Sequence, residues 1–267
     1  MQEDLVILLE WLNANGINDI FNSAIDDNEE IKSNIISITQ DKSLNTVFNQ
    51  LSIQQQNLRE NNIFSNDINT VRELSNSLNN LDDILKNIQT IKEFENKRRL
   101  ANNTIVLQGK PKNKILVVND LPTEEDDEND KIFSGEAGEL LKKMFNAIHV
   151  SEDEYTLMNI FFWRLAGGRM PIKEELNLCK PFVEKIISLI EPEIIICMGN
   201  YAVSSLINEN ETVIKARGHF YDYTNMYLQK HIKTTAIYSP NFLLTNTRKK
   251  REAWNDLQEV EKLCEIK

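Results

Sequence analysis

Four short runs of apolar and β-branched residues limit the fold of this chain more than any other feature. The runs lie at residues 114–118, 156–161, 193–197 and 234–238. Each is nearly continuous in apolar character, which is typical of strands buried on both faces. Helical periodicity follows each run, at residues 138–148, 173–190, 201–207 and 248–264. This alternation predicts an α/β fold, a three-layer α/β/α sandwich with a central parallel four-stranded sheet.

The first 98 residues differ in composition and pattern, because they contain no proline and carry apolar residues at helical spacing. Residues 71–91 keep a three-four apolar spacing, which predicts one long amphipathic helix or a short coiled-coil seam. Residues 26–66 are polar and rich in Asn and Gln, which favours a flexible linker. We therefore expect a helical N-terminal extension with a polar linker over residues 1–98 and an α/β domain over residues 99–267.

The formal net charge of −11 opposes nonspecific attraction to nucleic-acid phosphates. Acidic residues concentrate at 124–130, where we predict a mobile solvated loop, and the densest cationic run is at 248–251. No apolar run approaches the roughly 18 residues of a membrane span, and the acidic first residues do not resemble a signal peptide. These features predict a cytoplasmic protein without a membrane partner.

Polar residues follow each predicted strand. Ligands of parallel α/β sheets bind in the loops beyond the carboxyl ends of the strands. The four ends carry Asn119–Thr123, Asn159, Gly199–Asn200 and Ser239–Pro240. A carboxylate, carboxamides, a glycine and nearby arginines would meet at one rim. Such groups can hold a flat polar heterocycle beside a phosphate backbone.

Seven motifs in the second half occur in a familiar order. Residues 133–141, FSGEAGELL, match the pattern P-F-V-G-x-A-G-x-L-L, and residues 239–244, SPNFLL, match H-P-A-Y-L-L. The other motifs lie at residues 158–164, 167–182, 191–202, 217–218 and 250–257. Together they resemble the uracil-DNA glycosylase superfamily, most closely bacterial family 4 in its alphaproteobacterial form, which has an N-terminal helical extension.

The resemblance implies an enzyme of base excision repair that flips uracil out of DNA and hydrolyses the bond from uracil N1 to the sugar C1′. The transition state is cation-like at the sugar and anionic on uracil, so catalysis needs charge stabilisation and a placed water. By resemblance, Phe133 stacks on uracil and Asn159 reads its amide edge. The alternatives are ordinary core packing for Phe133 and a structurally bonded carboxamide for Asn159. Pro122 and Gly135 belong to the base-binding loops on the same ground.

The two catalytic positions depart from the family pattern. Asp120 keeps an acid in the G-E-A-P-G loop, which here reads Asn-Asp-Leu-Pro-Thr without its glycines. Asp120 either orients the water or caps a turn or helix. Ser239 replaces the family's histidine and cannot carry a positive charge, a loss of about 2.7 to 4 kcal/mol of transition-state stabilisation. Alternatively, Ser239 and Pro240 serve as an N-cap and first helical residue.

The cysteines do not match the family's iron-sulfur site. Cys179 fits one ligand position and Cys197 lies near another, but residues 95–100 contain no cysteine. Two thiols are too few for a four-iron cluster. We therefore expect no cofactor and no bound metal, and interpret the cysteines as buried reduced thiols.

Basic residues in the motif region are candidates for contacts with the DNA backbone. They are Arg164, Arg169, Arg217, Arg248, Lys249 and Lys250. For the last three, a solvated helix start is the alternative. The chain is accordingly interpreted as a uracil-DNA glycosylase of weakened activity acting on uracil-containing single- or double-stranded DNA. The alternative is an inactive relative that binds DNA, or that binds a protein or itself through residues 71–91.

Overall fold

The computed structural model describes residues 67–98 and 101–263, and within them a six-stranded sheet forms the centre of the fold. The strands are β1 (Leu107–Gln108), β2 (Ile115–Asn119), β3 (Tyr155–Asn159), β4 (Ile194–Met198), β5 (Tyr221–Tyr223) and β6 (Ile232–Ala236). Their order is β1-β3-β2-β4-β6-β5. The four central strands are parallel, as the sequence predicts, and the short edge strands β1 and β5 are antiparallel additions.

The register of the parallel strands aligns their carboxyl ends. Asn119, the last residue of β2, pairs with Asn159 of β3 on one side and with Met198 of β4 on the other. Every residue of these three strands is buried, which explains their continuous apolar runs. Side chains that end the three strands therefore lie next to each other at one edge of the sheet.

Ten α-helices are described in these residues, and several bury apolar faces in the common core. They are α1 (residues 67–77), α2 (Leu81–Thr90), α3 (Glu95–Arg98), α4 (Glu124–Asn129), α5 (Gly135–Asn146), α6 (Lys173–Ile190), α7 (Asn200–Leu206), α8 (Val213–Ala216), α9 (Pro240–Thr245) and α10 (Lys250–Leu263). The longest, α6, buries Leu178, Phe182 and Ile186 among its core residues. Within the described ranges, no helix is both long and apolar enough to cross a membrane.

The apolar stripe at residues 71–91 forms two helices, so the prediction of one long helix is wrong. The chain leaves α1 after residue 77, and Asn80 then caps α2 by accepting a hydrogen bond on Oδ1 from the Asp83 N–H at 2.8 Å. Val71, Ile84 and Ile88 are fully buried in the same core as the sheet. The apolar face is thus covered by this chain itself. The predictions for residues 1–66 lie outside the described residues.

The acidic run is an ordered helix, α4, and not the mobile loop that its charge suggests. Thr123 and Asp126 form a capping box at its start. Asp126 also accepts the Ser134 N–H at 2.6 Å, and Asp127 accepts the N–H groups of Asn102 and Asn103. Both aspartates are buried, and these charge-assisted hydrogen bonds order the helix and the two loops beside it.

An aromatic cluster joins the N-terminal helices to the sheet. Phe94, in a 3₁₀ turn between α2 and α3, is fully buried. Its ring centroid lies 4.8 Å from that of Trp163, 5.9 Å from that of Phe182 and 6.5 Å from that of Phe162. Residues 67–98 therefore share one hydrophobic core with the α/β part of the chain.

Candidate active site

The candidate catalytic acid, Asp120, directly follows β2 and points at the start of α7. Its Oδ1 accepts the Ala202 N–H at 2.8 Å. This is a helix-capping contact, the alternative to orienting a water. A Cβ on Gly199 would lie 2.2 Å from the Asp120 carboxylate carbon, so only glycine permits this approach. Burial raises the pKa of Asp120 to about 6, and the backbone N–H groups at the start of α7 oppose that rise.

Ser239 is the N-cap of α9, with Pro240 at the first helical position. Its Oγ accepts the Phe242 N–H at 3.3 Å, which is the geometry of the capping alternative. Accepting that bond uses a lone pair and leaves the hydroxyl hydrogen available for donation. A carbonyl oxygen of a base is an acceptor that such a hydrogen can meet.

Asn159 is fully buried at the end of β3, and both ends of its carboxamide are bonded within the chain. Its Nδ2 donates to the Ile105 carbonyl at 2.8 Å. Its Oδ1 accepts from Asn119 Nδ2 at 2.9 Å. Asn119 Nδ2 also donates to the Leu121 carbonyl at 3.0 Å. The sequence analysis gave Asn119 no role. The signal that could have identified it is a carboxamide at the end of a wholly buried strand.

Phe133 has an unusual backbone for an aromatic residue. Its φ is 57° and its side chain is buried. The left-handed region is disfavoured for bulky residues, and such strain concentrates at functional positions. Gly138 permits the turn, because a Cβ there would lie 2.2 Å from the Phe133 carbonyl oxygen. The side chain is 4% exposed and belongs to the hydrophobic core, which is the core-packing alternative, and stacking on a base stays a prediction.

The two further candidate positions differ in exposure, and Gly135 is exposed. Pro122 is buried in the loop between β2 and α4. Gly135 begins α5 with a φ of 56°, and a Cβ there would lie 2.0 Å from Glu125 Oε1. The Glu125 carboxylate therefore lies against the start of α5, a place that suits an anion. Helix α9, which follows Ser239, packs against α5.

Most of the candidate DNA-backbone cations are paired with acids of the same chain. Arg164 contacts Glu124 at 2.6 Å, Arg169 forms a two-pronged bond with Glu175, and Lys249 contacts Glu252 at 2.7 Å. Arg217 binds Asp256 and Glu252 and lies over the Tyr238 ring. Within the part of the chain that the structure describes, Arg248 and Lys250 have no ion pair.

The cysteines present do not fit a four-iron cluster. Such a cluster takes four thiolates, and the whole chain contains three cysteines, of which Cys264 lies outside the described residues. Cys197 is fully buried in β4, and burial raises its pKa far above the ordinary value, which favours the thiol. The described residues contain no group of three or more His, Cys, Asp or Glu side chains placed to hold a metal ion.

A half-open cavity of about 420 Å³ lies beside the edge strand β1, and its lining includes Ile105, whose carbonyl accepts from Asn159 Nδ2. Leu85 and Gln89 of α2 line it together with Thr104, Ile105 and Lys131. None of the residues predicted for catalysis or base binding lines this cavity. It therefore adds no catalytic group to the site at the strand ends.

Comparison with known proteins identifies the family of this chain. The family profile described as the uracil DNA glycosylase superfamily matches residues 106–258, more than half of the chain. A type-4 uracil-DNA glycosylase of Archaeoglobus fulgidus is 26% identical over 191 residues, covering 70% of this chain and 94% of the relative. Those of Sulfurisphaera tokodaii and Saccharolobus solfataricus are 28% and 29% identical, covering 61% and 63% of this chain and 75% and 80% of the relatives. The predicted family is thereby confirmed: this chain belongs to the uracil DNA glycosylase superfamily, is similar to its type-4 members, and has a uracil-DNA glycosylase-like function.

Proposed function

We propose that this protein excises uracil from DNA by hydrolysing the N-glycosidic bond, at a lower rate than relatives that carry histidine at the Ser239 position. The observation that carries the proposal is the Asp120 carboxylate at the carboxyl end of β2, held by backbone N–H groups at the start of α7. Its pKa of about 6 leaves it mostly ionised at neutral pH. An ionised carboxylate there can orient a water and stabilise positive charge on the sugar.

Ser239 supplies the second part of the chemistry. As uracil departs, negative charge develops on its O2, and a hydrogen-bond donor aimed at that atom lowers the barrier. The Ser239 hydroxyl can donate because its cap bond to Phe242 uses only a lone pair. A neutral donor stabilises the anion less than an imidazole does. Phe133 and Asn159 would contact the flipped base.

The alternative is an inactive relative that binds DNA or a protein. Two observations favour it: the Asn159 carboxamide is already bonded inside the chain, and four of the six candidate backbone cations have acidic partners. Binding of a protein or a second copy through residues 71–91 would have to use other atoms of that segment, because Val71, Ile84 and Ile88 are buried.

No step of the proposed reaction uses a metal or an iron-sulfur cluster, because three cysteines cannot supply four ligands. The proposed partner of the protein is uracil-containing DNA, single- or double-stranded. The cytoplasmic location stays a prediction from the composition.

The test compares uracil release by the full chain and by Ser239→His on a single-stranded oligonucleotide with one uracil, read by cleavage of the abasic product on a gel. We expect slow release by the parent and about 10²-fold faster release by Ser239→His. Ser77→His, at an exposed serine of α1, is the matched control and should leave the rate unchanged. Absence of release by both the parent and Ser239→His would contradict the proposal. Release by Ser239→His alone would favour the inactive relative.

A further inference from the structure

The outer side of helix α10 carries an exposed tryptophan beside a cation and two amides. Trp254 is 39% exposed, a large apolar side chain left in contact with water. Arg251, Trp254, Asn255 and Gln258 follow the spacing i, i+3, i+4, i+7, so they lie on one side of the helix, which we call the Trp254 face. This face contains no acid, although the chain has a net charge of −11.

The acids of the same two helical turns lie away from Trp254 and are paired. Glu252 and Asp256 are each two residues from Trp254, a spacing that places side chains on nearly opposite sides of an α-helix. Glu252 contacts Lys249 at 2.7 Å and Arg217 at 3.1 Å. Asp256 is buried and contacts Arg217 at 2.9 Å. Their charges are therefore balanced within the fold and do not offset cations on the Trp254 face.

Three cations at the start of α10 are available to a ligand. Within the residues that the structure describes, Arg248, Lys250 and Arg251 form no ion pair, and all three are exposed. Cations at the start of a helix oppose its dipole, so helix stability does not explain their presence. Phosphate groups are anions that such unpaired cations can bind.

The start of α10 lies beside the candidate active site. Lys249 Nζ is 5.9 Å from the centroid of the Tyr238 ring, and Tyr238 directly precedes Ser239. Trp254 lies four residues after Lys250, the first residue of α10, which is about 6 Å along the helix axis. A DNA strand bound at Ser239 can therefore continue across the unpaired cations to Trp254.

We propose that Trp254 stacks on a base of single-stranded DNA outside the catalytic site, while Arg251 and the two cations before it bind phosphates. Stacking on an aromatic ring tolerates every base, because each base has a flat π-face. Asn255 and Gln258 can donate hydrogen bonds to phosphate or sugar oxygens. The Trp254 face thus holds the strand beside the uracil whatever its sequence. The inference rests on the proposed function, since it takes DNA as the ligand, but it concerns affinity and not cleavage.

The test measures the fluorescence anisotropy of a labelled single-stranded oligonucleotide without uracil, titrated with the full-length parent, Trp254→Leu and Trp254→Phe. We expect Trp254→Leu to weaken binding about 10-fold, and Trp254→Phe to weaken it less because a smaller ring still stacks. The DNA should also quench part of the parental tryptophan fluorescence, and Trp254→Phe should lack that part. A duplex of the same sequence should bind the parent and Trp254→Leu alike, because its bases are already stacked on one another.

Arg251→Gln and Lys262→Gln are a matched pair of charge changes on α10. Arg251→Gln should weaken binding of the single strand a few-fold, with a larger effect at low salt than at high salt. Lys262 lies beyond the Trp254 face and contacts Glu259 at 2.6 Å, so Lys262→Gln should leave the affinity unchanged. Equal effects of the two variants would indicate net charge alone and would contradict phosphate binding by Arg251.

The outcomes separate this inference from the proposed function. Parental affinity of folded Trp254→Leu for the single strand overturns the inference, and so does an equal loss of affinity for single strand and duplex. If the parent releases uracil while Trp254→Leu keeps the parental affinity, the inference fails and the proposed function stands. If Trp254→Leu weakens binding but neither the parent nor Ser239→His releases uracil, the proposed function fails and the stacking role of Trp254 stands.

Discussion

The Oδ1 of Asp120 lies 2.8 Å from the backbone nitrogen of Ala202, across the gap between the end of β2 and the start of α7. The contact ties a carboxylate to the positive end of a short helix, which limits the energetic cost of burying its charge. It also fixes the carboxylate at the edge of the sheet where the neighbouring strands end. The same residue therefore caps a helix and, in the proposed function, orients the water.

Replacement of Asp120 should change how stability depends on pH. Its pKa is raised to about 6 in the folded state, above the ordinary value near 4. The folded state thus holds more protons than the unfolded state between about pH 4 and pH 6, and stability falls as pH rises through that window. Asp120→Asn removes this loss, so the free energy of unfolding of the variant relative to the parent should be about 1 to 2 kcal/mol higher at pH 7.5 than at pH 4. Partial solvent contact of the carboxylate reduces the effect. Urea unfolding at both pH values measures it, and a constant difference would contradict the buried charge.

Gly199 should tolerate no side chain while Asp120 is present. An added Cβ would lie 2.2 Å from the Asp120 carboxylate carbon, so Gly199→Ala must displace the carboxylate or α7. We expect Gly199→Ala to lose about 2 kcal/mol or more of unfolding free energy, and Asp120→Ala to recover part of that loss in the double variant. Purely additive losses in a double-mutant cycle would show that the two residues do not compete for the same space.

Phe94 should contribute strongly to stability. It is fully buried against the rings of Phe162, Trp163 and Phe182, so Phe94→Ala leaves a cavity at the junction of the N-terminal helices and the sheet. The expected loss is about 3 to 5 kcal/mol in urea unfolding, and Phe94→Leu should lose less. A loss below about 1 kcal/mol for Phe94→Ala would mean that residues 67–98 do not depend on this cluster.

Glu124 should weaken DNA binding by occupying Arg164. The two side chains form an ion pair at 2.6 Å. Glu124→Gln frees the guanidinium and removes a repulsive charge, so affinity for single-stranded DNA should rise a few-fold at low salt and less at high salt. Glu139→Gln, which alters an exposed acid on α5 that pairs with Lys142, serves as the matched control. Equal effects of the two variants would indicate general charge and not release of Arg164.

The central strands could be predicted from sequence because burial on both faces makes them continuous apolar runs. The edge strands β1 and β5 have two and three residues, too few for such a pattern. The break between α1 and α2 depends on capping by Asn80, which interrupts an apolar spacing that looks continuous. The order of α4 depends on N–H groups supplied by Asn102, Asn103 and Ser134, which only the folded chain brings to the acids.

The sequence predicts which residues follow the strands, but it does not predict the hydrogen-bond partners of their side chains. Strand ends and family motifs predict where Asp120, Asn159 and Ser239 lie. The partner that each side chain takes depends on register and loop geometry, as the pairing of Asn119 with Asn159 illustrates. Sequence alone could therefore nominate Asn159 for base recognition without revealing that its carboxamide is already bonded.

The most direct test of the central claim is the rate of uracil release from single-stranded DNA by the full chain, measured from pH 5 to pH 8 with and without Asp120→Asn. If the Asp120 carboxylate acts in its ionised form, the parental rate rises with pH and levels off above about 6. Asp120→Asn should be at least about 10²-fold slower and should lose that pH dependence. A parent that releases no uracil, or an Asp120→Asn variant that matches the parent across this range, would contradict the account.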